Sequence, residues 1–169
     1  MAIEVRLDDL SSPQVHELVA EHLAGMHGNS PAGHVHALAV DSLKAADISF
    51  WTAWLDGRLC GCGALKRLSA TAGEVKSMRT RPASLRLGVG QAVLDEIVRC
   101  ARRRGYAHLY LETGTGPAFE PAQALYLRNG FVGCGPFGDY AATDFNVFMV
   151  KALEAEDRAA QAVGGPPRQ

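Results

Sequence analysis

Leu85-Arg86-Leu87-Gly88-Val89-Gly90-Gln91 leads into Val93, Leu94, Ile97, Val98 and Ala101, and then, past Gly105, into His108-Leu109-Tyr110-Leu111-Glu112. The apolar spacing from Val89 to Ala101 is that of an amphipathic helix. Arg102, Arg103, Arg104 and Gly105 supply the cations and the glycine that commonly close one. Asp95 and Arg99 are spaced for an i,i+4 ion pair. His108 to Glu112 reads as a strand. With another strand ahead of the loop, stopped by Pro82, this makes a βαβ unit whose strands are expected to be parallel neighbours.

Gly88 and Gly90 therefore stand at the start of a helix. Unpaired N–H groups and the positive dipole end there bind phosphate oxygens, and glycine lets a bulky anion approach the main chain. The dipole alone contributes only about 0.3 to 1 kcal/mol, so several direct N–H bonds must supply most of the hold. Val93 spoils a Gly-x-Gly-x-x-Gly dinucleotide fingerprint, and no Gly-Lys-Ser/Thr follows as a nucleoside-triphosphate loop requires. An isolated Gly-x-Gly can also be no more than a tight turn.

Upstream, Ile3-Glu4-Val5-Arg6-Leu7 alternates as a half-buried strand. Ser12 and Pro13 suit an N-cap and first helical position, and Val15, Leu18, Val19, Leu23 and Met26 fall on one stripe, so a helix is expected to about Gly28. A second is expected from after Ser30-Pro31 to about Lys44. Ile48 to Leu55 is rich in aromatic and β-branched residues, Asp56-Gly57 signals a tight turn, and the chain returns from Arg58 to about Leu68. After a turn over Ser69 to Gly73, Glu74-Val75-Lys76-Ser77-Met78 gives the third strand of the meander. Trp51 and Trp54, three apart, point to opposite strand faces, and core packing explains at least one. Downstream, a helix is expected over about Pro121 to Asn129, closed by Gly130, then strands at Phe131-Val132-Gly133-Cys134 and Asn146 to Val150. Residues 1–153 form one expected domain, and the tail 154–169, with Gly-Gly-Pro-Pro, is expected to be disordered.

Composition narrows the function. The 169 residues, 47% hydrophobic and 21% charged, suffice for one domain with a sizeable core. A net charge of -1 gives no broad basic field for nucleic acid or anionic lipid, which leaves small-molecule partners. No apolar run reaches the roughly 18 to 20 residues that cross a bilayer. Cys60, Cys62, Cys100 and Cys134 contain no Cys-x-x-Cys pair and no signal segment opens the chain, so reduced thiols in a soluble, cytoplasmic protein are expected. No zinc spacing joins the cysteines to His34 and His36, and no metal is expected. The arginine run reads as a solvated helix cap.

Taken together, Gly88-Val89-Gly90 after a strand, Glu112-Thr113 at the end of the next, and Ala124-Leu125-Tyr126 followed by Gly130-Phe131 resemble a GNAT acetyltransferase over about residues 3–153. Gly73-Glu74-Val75-Lys76-Ser77-Met78-Arg79-Thr80, Leu111-Glu112-Thr113-Gly114 and Cys134-Gly135-Pro136-Phe137 resemble a bacterial subgroup whose substrates are poorly defined. The resemblance implies an α+β (mixed α/β) GNAT fold, with a mixed sheet of about six to seven strands and about four helices. It implies acetyl-CoA as cosubstrate, a primary amine of a small molecule or protein as acceptor, direct attack in a ternary complex, and a homodimer as one assembly the family uses. Pyrophosphate would rest on Arg86, Leu87, Gly88, Val89, Gly90 and Gln91. Pantetheine would lie between the strands ending Met78-Arg79-Thr80 and Glu112-Thr113, with an N–H near Met78 facing the thioester carbonyl. The family's usual loop is Arg/Gln-x-x-Gly-x-Gly/Ala, whereas Leu85 and Arg86 hold its first two positions here. That bears on one side-chain contact, not on the backbone cradle.

Tyr126 matches the family's tyrosine near the cofactor sulfur, a candidate general acid, and otherwise a helix tyrosine packed on Phe131. An amine of pKa near 10.4 must lose a proton before attack, which costs about 4.6 kcal/mol at pH 7. Glu74 and Glu112 flank the implied gap and are the candidate bases, or else structural carboxylates. His34 and His36 in the second helical region, together with Lys76, are candidates for acceptor binding. The competing function is a module that senses acyl-CoA without turnover.

Overall fold

Alternation and turn chemistry build the first half of the sheet. In the computed structural model, which describes residues 2–29 and 40–153, β1 (Glu4–Leu7), β2 (Ile48–Leu55), β3 (Arg58–Ser69) and β4 (Ala72–Thr80) form an antiparallel meander. Asp56 and Gly57 make the β2–β3 turn at φ 51° and 78°, the paired left-handed geometry that matches strand twist. The next turn is tighter than the sequence suggested: Ala70 and Thr71 alone separate β3 from β4, so Ala72 and Gly73 are already strand.

α1 (Pro13–Asn29) begins as expected, with Ser12 Oγ accepting from the Val15 N–H at 3.3 Å. Of the second helix, α2 (Val40–Leu43) is the described part. His34, His36 and the tail 154–169 lie outside the described residues. α3 (Val89–Arg103) crosses from β4 to β5 (His108–Gly114), and those strands are parallel. The expected Asp95–Arg99 pair is not made. Arg99 instead pairs with Glu96, one residue nearer, while Asp95 accepts from Gln91 Nε2 at 2.8 Å. α4 (Glu120–Arg128) follows, and then β6 (Val132–Cys134) and β7 (Asn146–Ala152) close the sheet in the order β1-β2-β3-β4-β5-β7-β6. The result is the seven-stranded mixed sheet of the GNAT fold.

Two cores sandwich this sheet. On one face Val89, Val93, Leu94 and Ile97 of α3 pack on Cys60, Leu65, Val75, Leu109 and Leu111. On the other, Leu10, Val15, Leu18 and Leu43 pack on Phe50, Leu59, Cys62 and Ala64. Trp51 belongs to the first core and Trp54 packs against the second, as opposite strand faces require. Gly63 is needed for the close approach of α3: a Cβ there would stand 2.5 Å from Met78 Sδ and 2.6 Å from Val93 Cγ1. No helix among the described residues is long and apolar enough to cross a membrane.

Candidate active site

The loop ahead of α3 is built from unusual backbone. Arg86 adopts φ 65° and Gly88 φ 85°, the latter as a left-handed N-cap without any side-chain cap. The first main-chain N–H to bond back is that of Ala92, to Gly88 O at 3.0 Å. Among the described residues the N–H groups of residues 86–91 make no hydrogen bond. Arg86, Leu87 and Gly88 are exposed, and a Cβ at Gly88 would meet nothing within 4 Å. Free donors at an open helix start are a cradle for an anion.

Beside it the sheet splits. β4 pairs with β5 only from Ala72↔His108 to Val75↔Leu111. The cause lies in β4 itself. Ala64 pairs with Lys76 but Cys62 with Arg79, so β4 carries one extra residue, and Ser77 at φ 54° sits in that bulge. A bulge bends its strand and raises local twist. Met78, Arg79 and Thr80 consequently leave β5, whose Glu112, Thr113 and Gly114 pair only with β7. The split opens into a cleft of about 410 Å³ whose walls include Met78, Thr80, Leu85, Gly90, Leu125 and Tyr126. A smaller hollow of about 110 Å³ continues from it past Glu74, Lys76, Glu112 and Tyr140, with His22, Met78, Phe119, Ala122 and Tyr126 common to both.

Ionisable groups gather in the smaller hollow. Glu74 is buried, only 3% exposed. Its Oε2 accepts from Lys76 Nζ at 3.0 Å and from the Tyr140 hydroxyl at 2.7 Å, and Lys76 Nζ also donates to that hydroxyl oxygen at 2.8 Å. Glu112 faces the same space without a hydrogen-bond partner of its own among the described residues, and burial pushes its carboxyl up to about 7, with Lys76 opposing and Glu74 reinforcing. Tyr126 packs edge-on against Phe131 at 5.6 Å and still lines both parts of the cleft. Burial raises its phenol well above the ordinary value, which keeps it protonated at neutral pH.

Sequence reasoning singled out Met78, Arg79, Thr80, Gly90, Glu74, Lys76, Glu112, Thr113 and Tyr126 as cofactor-binding, acceptor-binding or catalytic candidates, and in the structure they line the two joined parts of the cleft. The two candidate bases differ in their partners: Glu74 accepts from Lys76 and Tyr140, whereas Glu112 has no hydrogen-bond partner among the described residues. Two ionisable cleft residues, His22 and Tyr140, were not singled out. His22 falls on the apolar stripe of α1, in step with Val15, Leu18 and Met26, and a titratable side chain at such a position was the legible sign. Burial, with the nearby charge of Arg79 adding, lowers its imidazole to about 4. Tyr140 comes from the aperiodic segment between β6 and β7, where no pattern marks it. Among the described residues no group of His, Cys, Asp or Glu is placed to hold a metal ion.

Comparison with known proteins agrees with this geometry. The model of the acetyltransferase (GNAT) family matches residues 15–131. The uncharacterized N-acetyltransferase YsnE of Bacillus subtilis is 47% identical over 151 residues, covering 89% of this chain and 100% of its own. The uncharacterized N-acetyltransferase YedL of Escherichia coli is 43% identical over 149 residues, 88% of this chain and 94% of its own. Among solved structures, the PaiA N-acetyltransferase of Thermoplasma acidophilum in complex with coenzyme A superposes with a TM-score of 0.67 at 18% identity, over 90% of this chain and 100% of that one.

Proposed function

Because the chain belongs to the acetyltransferase (GNAT) family and is an acyltransferase, we propose that it moves an acetyl group from acetyl-CoA to a primary amine by direct attack within a ternary complex. The observation that carries this is the set of unbonded N–H groups over residues 86–91, opening beside a split sheet that ends at Tyr126. The cradle fits a diphosphate, because Gly88 has open space where a side chain would stand. The main-chain edges of Lys76–Thr80 and Glu112–Gly114, unpaired with one another beyond Val75 and Leu111, suit the amide groups of pantetheine. Acetyl-CoA supplies the activated acetyl group. The Met78 N–H is the donor assigned to the thioester carbonyl, where negative charge develops.

Glu112 accepts the amine's proton. A carboxylate that titrates near 7 is half ionised at neutral pH and is a far better base than one at its ordinary value. Tyr126 keeps its proton until the departing thiolate forms beside it and then donates. Lys76 and Glu74, locked together through Tyr140, shape the acceptor end. No cysteine serves as an acyl carrier: Cys60 and Cys62 are buried in the two cores, and burial lifts the Cys62 thiol to about 12. The free thiols also suit a reducing cytoplasm.

A thermal-shift titration tests the reading. Acetyl-CoA or CoA at 100 times its dissociation constant should add about 2.7 kcal/mol of apparent stability, and primary amines should accelerate CoA release from acetyl-CoA. A melting temperature indifferent to both ligands would exclude the cofactor assignment.

A further inference from the structure

Three cations, Lys76, Arg79 and Arg81, stand along the last part of β4 and just beyond it. On the α1 face of β4, Lys76 Nζ is engaged by Glu74 and Tyr140, and Arg81 Nη2 donates to Glu21 at 3.0 Å. Among the described residues Arg79 has no such partner. It is paired across the strands with Cys62, whose thiol lies in the core beneath α1, so its side chain leaves the strand on that face. Its Nε is sealed from solvent with no acceptor among the described residues, and it lines the cleft beside His22. Arg79 is half-buried, and a guanidinium on a cleft wall with no ion pair among the described residues is free to take a carboxylate.

We propose that Arg79 binds the anionic group of the acceptor, which makes the acceptor an amino-carboxylate: a small molecule presenting its amine to Glu112 and its carboxylate to Arg79. This rests on the acetyl-transfer reading above. The register fits such a molecule. Arg79 stands two β3 residues beyond Lys76, about 7 Å along the sheet, and Glu112 follows Leu111 at the level of Lys76. Two long side chains converging across that distance hold an amine and a carboxylate a few bonds apart. The planar fork of arginine matches a carboxylate's two oxygens. The other available anion, the cofactor diphosphate, has its donors at the start of α3, and α3 packs on the opposite face of the sheet.

Matched acceptor pairs test this: β-alanine and the L-amino acids, each against the amine left when its carboxylate is removed, assayed by CoA release with wild type, Arg79→Met and Arg79→Lys. Wild type should favour the carboxylate-bearing members by about 10- to 100-fold in kcat/KM, the size of one charged hydrogen-bonded contact. Arg79→Met, which keeps the length without the charge, should erase that preference through the acceptor KM, Arg79→Lys should restore part of it, and the KM for acetyl-CoA should move less than about twofold. Equal use of both members by wild type overturns the proposal, as does a preference that survives Arg79→Met. A raised acetyl-CoA KM with the preference intact assigns Arg79 to a cofactor phosphate and overturns it too. Turnover of neither member while CoA still raises the melting temperature removes the amino-carboxylate class and leaves acetyl transfer standing. Loss of the CoA shift itself would count against acetyl transfer, and the melting shift of wild type against Arg79→Met with each matched pair then decides Arg79 on its own.

Discussion

At Tyr126 one side chain packs edge-on against Phe131 and lines the cleft, where its hydroxyl is the proposed general acid. Phenylalanine keeps the packing and removes the hydroxyl. Tyr126→Phe should therefore fold normally and lose about 10² to 10⁴ in kcat, the usual range for general acid catalysis, as steady-state CoA release would show. An unchanged kcat would leave Tyr126 a packing residue. Glu112 makes a second prediction, in pH. Its carboxyl titrates near 7 in the free protein, and the base form exists above that value. Wild-type kcat/KM should thus fall about tenfold per unit as pH drops below 7, with the break absent in Glu112→Gln. Both residues were legible in the sequence through their neighbours, Glu112 beside Thr113 and Tyr126 after Leu125. What singled out Glu112 over Glu74 was not, because Tyr140, the residue that occupies Glu74, is 66 positions distant along the chain and belongs to no periodic element.

The elements explain why the cleft exists. β4 would continue beside β5 but for the extra residue at Ser77, and α3 could not settle over the meander but for the glycines beneath it. Gly63→Ala should drive a methyl group into Met78 and Val93. Overpacking of this kind costs typically about 1 to 3 kcal/mol, or a melting temperature lower by several degrees for a domain of this size, readable by calorimetry. A melting temperature equal to wild type would mean that α3 and Met78 yield without cost. Long periodic segments such as α3 and the meander were legible because their burial is regular. The bulge was not, for Lys76-Ser77-Met78 alternates acceptably as plain strand and only the cross-strand register shows the added residue. The Asp95–Arg99 pair failed for a similar reason: spacing allows it, but Gln91 and Glu96 compete for the same partners.

Across the whole molecule, the split sheet and the free helix start meet only because β4, α3 and β5 form one crossover between parallel strands, and the segment after β6 folds back to wall the acceptor end. The fold was legible from that crossover together with the family resemblance. The charge balance of the cleft was not, since it depends on which cations the folded chain leaves unpaired. Backbone amide spectra of ¹⁵N-labelled protein, recorded during a titration with CoA and separately with pantetheine, examine the point on which the function turns. We expect the amides of residues 86–91 to move strongly with CoA and hardly at all with pantetheine, which lacks the diphosphate. Amides in that loop that stay still as CoA saturates the protein would contradict the diphosphate cradle and the acetyl transfer inferred from it.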